Sequence, residues 1–187
     1  KEREEILSTV VALIELPIVE IWSPDISLLN LFAHLAFSLV ENPMNAKSAS
    51  IRNSCMALLR PLIVTFRYGS DIILRCLHAL RSSETLVTAL LDLLESMKHD
   101  PAAGPFLSEL FREVAKLPSK DIAANATLAK NVAALISETC AQFPKLVLPC
   151  VSLVVEVLEN EAYTVRSGVI QGLGVLVIEG FKETRPK

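Results

Sequence analysis

Apolar residues recur every three or four places along nearly the whole chain, and no stretch alternates apolar with polar at period two. That spacing predicts helices and no strands; no Asn-Gly or Asp-Gly hairpin turn occurs either. "EREEILSTVVALIEL" opens with an acidic first turn, favourable to the helix dipole, and Pro17 interrupts it. "SPDISLLNLFAHLAFSLVEN" begins with Ser23 as N-cap and Pro24 at the first helical position, and ends before Pro43. "SASIRNSCMALLRPLIVTFRYG" follows with a kink expected at Pro61, then "SDIILRCLHALRS" after a stop at Gly69. Further helices are predicted over "SSETLVTALLDLLESMKHD" and "GPFLSELFREVAKL", then 124–143, 145–160 and 162–182. The chain reads as all-α, with about nine to eleven helices in antiparallel pairs.

The segment 145–160 predicts how those helices are arranged. Its polar positions Lys145, Ser152, Glu156 and Glu159 fall in a stripe about 60° wide at 100° per residue. A helix so apolar elsewhere needs neighbours on several sides, which a two-layer solenoid supplies. This segment is therefore expected to be the most buried. In 162–180, Val165, Val169, Leu173, Leu176, Ile170 and Val177 cover an arc of about 140°. Gly168 and Gly172 border that arc. Interior glycines cost a helix about 1 kcal/mol each against Ala, so their presence predicts a close approach of another helix. A phosphate-binding loop would need a strand before the glycines, and none is predicted.

The pair over 145–182 resembles a HEAT repeat: a mid-helix proline (Pro149), the turn "ENEAY", and Val165-Arg166 opening the second helix. "IRNSCMALLRPLIV" (51–64) aligns with "VRSGVIQGLGVLVI" (165–178), an offset of 114 residues that matches Arg52 to Arg166. The fold class expected is a HEAT-like α-α superhelix, with 145–182 its clearest pair. The chain begins with Lys1 and shows no signal-peptide pattern, so residues 1–187 are expected to be one helical domain of a longer protein.

Composition narrows the function. Hydrophobic residues make up 51% and charged residues 21%, enough for a large core. The longest uncharged run, Ile26 to Val40, is 15 residues and falls short of the roughly 20 apolar residues of a membrane helix. Cys55, Cys76, Cys140 and Cys150 sit singly in apolar patterns, as buried reduced thiols do. Cys76 and His78 point about 200° apart on one helix, and His34 and His99 have no partner at ligand spacing, so no metal site is expected. No nucleophile elbow or nucleotide motif is present, and "NAT" at 125–127 carries little weight as a glycosylation signal. No cofactor and no enzymatic activity are expected.

Net charge is −3, yet its distribution is uneven. Between Lys47 and Ser82 lie six cations (Lys47, Arg52, Arg60, Arg67, Arg75 and Arg81) against the single acid Asp71. On one continuous helix Arg52, Arg60 and Arg67 would fall within about 80° of each other, with Arg75 and Arg81 folded back alongside. Such a stripe suits phosphate, and these six residues are the candidate nucleic-acid site; a solvated face is the competing reading.

Taken in order, "LIELPIVEIWSPD" (13–25), "LVENP" (39–43), "SIRNSCMALLRPLIVTFRYG" (50–69) and "LPCVSLVVEVLENEAYTVRSGVIQGLGVLV" (148–177) resemble the amino-terminal region of the condensin subunit 1 family, the HEAT-repeat non-SMC subunits of condensin I. The resemblance covers essentially the whole chain and is least distinctive over 83–130. It implies a non-enzymatic scaffold that works with a kleisin subunit and the SMC ATPase heads in mitotic chromosome condensation. It also implies contact with DNA, and residence in the nucleus and on chromosomes, with a cytoplasmic phase in the cell cycle; with no base-reading element and an acidic net charge, that contact is expected to be weak, indifferent to sequence and aided by kleisin. No membrane partner is implied. A HEAT or armadillo cargo adaptor, or a phosphatase scaffold that binds peptides, is the alternative from the same fold.

Overall fold

The computed structural model describes residues 2–14 and 25–184, and among them every regular element is helical. The first helix, α1 (Glu2–Ile14), carries Glu2, Glu4 and Glu5 in its first turn, as the sequence predicts. Pro17, Ser23, Pro24 and the rest of 15–24 lie outside the described residues. Helix α2 (Ile26–Glu41) is preceded by Asp25. Pro43 then starts a short turn of helix, α3 (Pro43–Ala46), where the Asn42 side chain accepts from the Met44 amide at 3.0 Å. Ser48 caps α4 (Ala49–Val64), which continues through Pro61.

Gly69 was expected to stop a helix, but it begins one, α5 (Gly69–Ala79). The reversal before it is made by Arg67, whose φ of 54° lies in the left-handed region. Next come α6 (Leu86–Met97), α7 (Ala103–Ala115) and α8 (Ser119–Ala124). Asn125 separates α8 from α9 (Ala126–Gln142): its side-chain oxygen accepts from the Leu128 amide at 3.0 Å, so the "NAT" stretch is a helix cap.

These helices stack in two layers. The first layer holds α2, α5 and α7, followed by the segment 144–159; the second holds α4, α6, α9 and α12 (Tyr163–Thr184). Within the second layer, Arg52 reaches Asp92 and Arg60 reaches Asp100, each 40 residues on, so α4 and α6 run parallel at a fixed register. In the first layer Asn30 on α2 accepts from Arg75 on α5, and the Val40 carbonyl near the end of α2 accepts from the hydroxyl of Thr85, the residue that precedes α6. Parallel stacking of successive helix pairs is the HEAT-like solenoid expected. The 114-residue self-match spans the steps α4 to α6, α6 to α9 and α9 to α12. Arg52 and Arg166 are each the fourth residue of their helix.

The core is one continuous apolar cluster between the layers. It includes all four cysteines, which are free and buried. Burial pushes the Cys55 and Cys140 thiols up to about 11 and raises Cys76 and Cys150 as well, so they stay protonated at neutral pH.

Two expectations meet opposite outcomes near the end of the chain. Gly168 and Gly172 lie where α12 closely approaches α9. A Cβ on Gly168 would sit 2.7 Å from the Ala133 carbonyl oxygen, and one on Gly172 2.9 Å from the Cys140 sulfur. The segment 145–160, by contrast, is neither one helix nor the most buried. It breaks into α10 (Pro144–Val147), a 3-10 turn (Leu148–Cys150), α11 (Val151–Glu156) and a second 3-10 turn (Val157–Glu159). Pro149 has no amide hydrogen to donate back along the helix, which accounts for the first break. Val147, Cys150, Val154 and Val157 form its one buried stripe, while Leu148 and Val155 remain 44% and 45% exposed. Among the described residues α7, α9 and α12 provide its main cover, so its apolar width exceeds its neighbours.

Candidate functional site

The six cations of the 47–82 block do not form one surface. Lys47 follows α3 in the turn between layers and is exposed. Arg52 and Arg60 project from α4 towards α6. The Arg52 Nε donates to Asp92 at 2.9 Å, with the two side chains 20% and 34% exposed. The Arg60 guanidinium lies 3.0 Å from Asp100. Arg67 stands beyond the end of α4 in the left-handed turn, so it does not extend a stripe on that helix. Arg81, between α5 and α6, lies 3.9 Å from Asp121. Arg75 belongs to the other layer, where its Nη2 donates to Asn30 at 3.2 Å.

Three of the five arginines are therefore neutralised by an aspartate 40 residues later: 52 with 92, 60 with 100, 81 with 121. The acids were overlooked because each lies one repeat away from its partner. The recurring interval was readable in the sequence once a repeat period near 40 was suspected. Pairs this exposed are worth about 0–1 kcal/mol each. Their larger effect here is to cancel much of the local positive field, leaving Lys47, Arg67 and Arg75 as the cations of the block with no ion pair among the described residues. A six-contact phosphate stripe, with its salt slope near −5, does not match this geometry.

Arg166 shows what the same helix position does elsewhere. Its Nη1 donates to the carbonyls of Asn160 and Glu161 at 2.7 and 2.8 Å, tying the start of α12 to the turn before it. Polar side chains lace the other turns between layers as well. Asn131, buried on α9, donates to the carbonyls of Leu80 and Ser83, both at 2.9 Å. The Ser119 hydroxyl accepts from the Glu161 amide at 2.7 Å. No buried side-chain polar atom lacks a partner among the described residues. The rim is a set of structural clamps.

Chemistry of other kinds finds little support in the geometry. No group of three His, Cys, Asp or Glu side chains converges on a metal position among the described residues. No single helix among the described residues is long and apolar enough to cross a membrane. Two open grooves lie on the surface. One, about 510 Å³, runs between α2 and α5; the other, about 310 Å³, lies beside Arg67 between the starts of α5 and α7.

Comparison with known proteins decides what this solenoid is like. Over 182 residues, 95% of the chain, it is 23% identical to condensin complex subunit 1 of Xenopus laevis. The chain is similar to condensin complex subunit 1. The mouse protein of the same name is 20% identical over 184 residues, and the Condensin-1 complex subunit CAP-D2 of Arabidopsis thaliana is 20% identical over 159. The chain spans 13% of the length of the first two condensin relatives and 11% of the third. No family model matches it, and no solved structure does.

Proposed function

We propose that this chain is a scaffold segment of a condensin complex subunit, without catalytic chemistry of its own. The observation that carries the reading is the run of condensin subunits from frog, mouse and plant, each aligned over 85% or more of the chain. A two-layer helical stack with polar clamps at its turns and no converging catalytic groups is compatible with that role. In this reading residues 1–187 form the amino-terminal block of a much longer solenoid. The partners are a kleisin subunit and the SMC ATPase heads, with ATP hydrolysis left to the latter, and the place of action is the chromosome in mitosis, with a cytoplasmic phase.

Affinity purification of the full protein from mitotic cells tests this directly. Recovery of SMC ATPases and a kleisin in stoichiometric amounts is expected. Recovery of transport cargo or phosphatase subunits instead would favour the adaptor reading.

DNA contact is a finer part of the proposal. Its supports are Lys47 and Arg67, joined by the outward parts of the clamped Arg60 and Arg81, and it is expected to be weak and blind to sequence. Fluorescence anisotropy on duplex DNA, with kleisin present, should show a salt slope nearer −2 than −5 if only two phosphates are engaged at about −0.9 each. Equal affinity in a folded Lys47→Glu/Arg67→Glu variant would remove DNA from the role.

A further inference from the structure

Arg75, like Arg67, is an arginine of the block with no aspartate partner among the described residues. Its companions at 52, 60 and 81 each find an acid 40 residues on, but position 115 is Ala115, the last residue of α7. Asp71, one turn earlier on the same exposed face of α5, makes no ion pair among the described residues either. The half-buried Arg75 guanidinium instead turns back to α2, where one of its five N–H groups meets the neutral side-chain oxygen of Asn30 at 3.2 Å. That oxygen also accepts from the buried Tyr68 hydroxyl at 2.5 Å. Asn30 and Tyr68 thus hold the fork in place without neutralising it.

The fork lies in the 510 Å³ groove between α2 and α5, a volume within the usual range of recognition pockets, about 300–1,000 Å³. His34 and His78 line the same groove and are exposed, adding ring N–H donors further along it. Phe37 forms an apolar floor, and Leu74 stands on the wall 59% exposed. Near the ends are two exposed acids, Asp71 in the first turn of α5 and Glu41 in the last turn of α2.

We propose that this groove docks an extended protein segment bearing an aspartate or glutamate for Arg75, with a neighbouring apolar side chain on Leu74 and Phe37. A planar guanidinium held at its edge presents the geometry that a carboxylate meets with two parallel hydrogen bonds. The flanking Asp71 and Glu41 select against a dianionic phosphate and favour a segment whose acid is bracketed by lysine or arginine. The two acids also oppose nucleic acid, which separates this groove from any DNA contact at Lys47 and Arg67. The inference stands on the groove alone, independent of the condensin reading.

An array of short synthetic peptides, each with an aspartate near a leucine and lysines outside them, would test it by capture of the labelled full chain. Matched peptides carry asparagine or phosphoserine in place of the aspartate. Capture by the aspartate peptides is expected to fall about tenfold or more with asparagine, and equally with Arg75→Gln in the chain. Leu74→Ser should also weaken it, and Lys47→Glu, outside the groove, should leave it unchanged. Circular dichroism melts of Arg75→Gln and Leu74→Ser would separate loss of fold from loss of binding, and Leu74→Ser, at an exposed position, should melt with the parent. No capture of any aspartate peptide, capture indifferent to asparagine, or stronger capture of phosphoserine would each overturn the proposal.

Discussion

The stack joins successive second-layer helices in two different ways. Between α9 and α12 the contact is backbone against backbone, made possible by Gly168 and Gly172 against Ala133, Ile136 and Cys140. Between α4 and α6 it includes polar clamps, Arg52 to Asp92 and Arg60 to Asp100. Both joints keep their helices parallel, with offsets of roughly 32–36 residues at the glycines and 40 at the clamps. A solenoid needs only a constant step between neighbours, so close packing and directed ion pairs can serve the same geometry. They should not serve it with the same strength. Burial removes apolar surface from water and leaves no room for adjustment, whereas a half-exposed ion pair exchanges good hydration for a modest gain.

That contrast can be broken most easily at Gly168. A side chain there meets the Ala133 backbone, which cannot rotate away, so Gly168→Leu should cost about 3 kcal/mol and lower the melting temperature by several degrees. Gly172 faces the Cys140 side chain, which can move, and Gly172→Leu should cost less, about 1–3 kcal/mol. A parent-like melt for both variants would mean the glycine joint is looser than drawn. Gly174 on the same helix has nothing within 4 Å of a Cβ, so Gly174→Ala should stabilise by up to about 1 kcal/mol through helix propensity. Opposite signs at 172 and 174, two residues apart, would be the sharpest form of the packing argument.

The clamps should give smaller effects. A double-mutant cycle on Arg52→Ala and Asp92→Ala is expected to yield a coupling of about 0.5–1 kcal/mol that shrinks as salt rises. A coupling above that of the glycine contact would reverse the comparison. The same cycle on Arg81 and Asp121, 3.9 Å apart and both well exposed, should give about 0.3 kcal/mol or less.

Much of the fold was legible along the chain. Each predicted helical segment within the described residues contains helix, although 145–160 is broken, because apolar spacing and capping chemistry act over a few residues. The glycine contact was legible for the same reason: a glycine inside an otherwise good helix has a cost that only close packing offsets. The cation block was legible as composition and misread as a surface, since the chain from 47 to 82 crosses both layers.

What tertiary structure alone decided is which face of each helix meets a neighbour. The apolar width of 145–160 predicted burial on several sides, but Leu148 and Val155 have no layer against them among the described residues. A left-handed turn fell to Arg67 beside an available glycine, because the Tyr68 amide closes back on the Leu62 carbonyl at 2.8 Å there. The sequence by itself determined most of the helices and the place where two of them approach closely, from patterns that repeat within a few turns. Whether an arginine is paired, as Arg52 is, or open, as Arg75 is, depends on the residue one repeat away, and only the register of the stack brings that residue within reach.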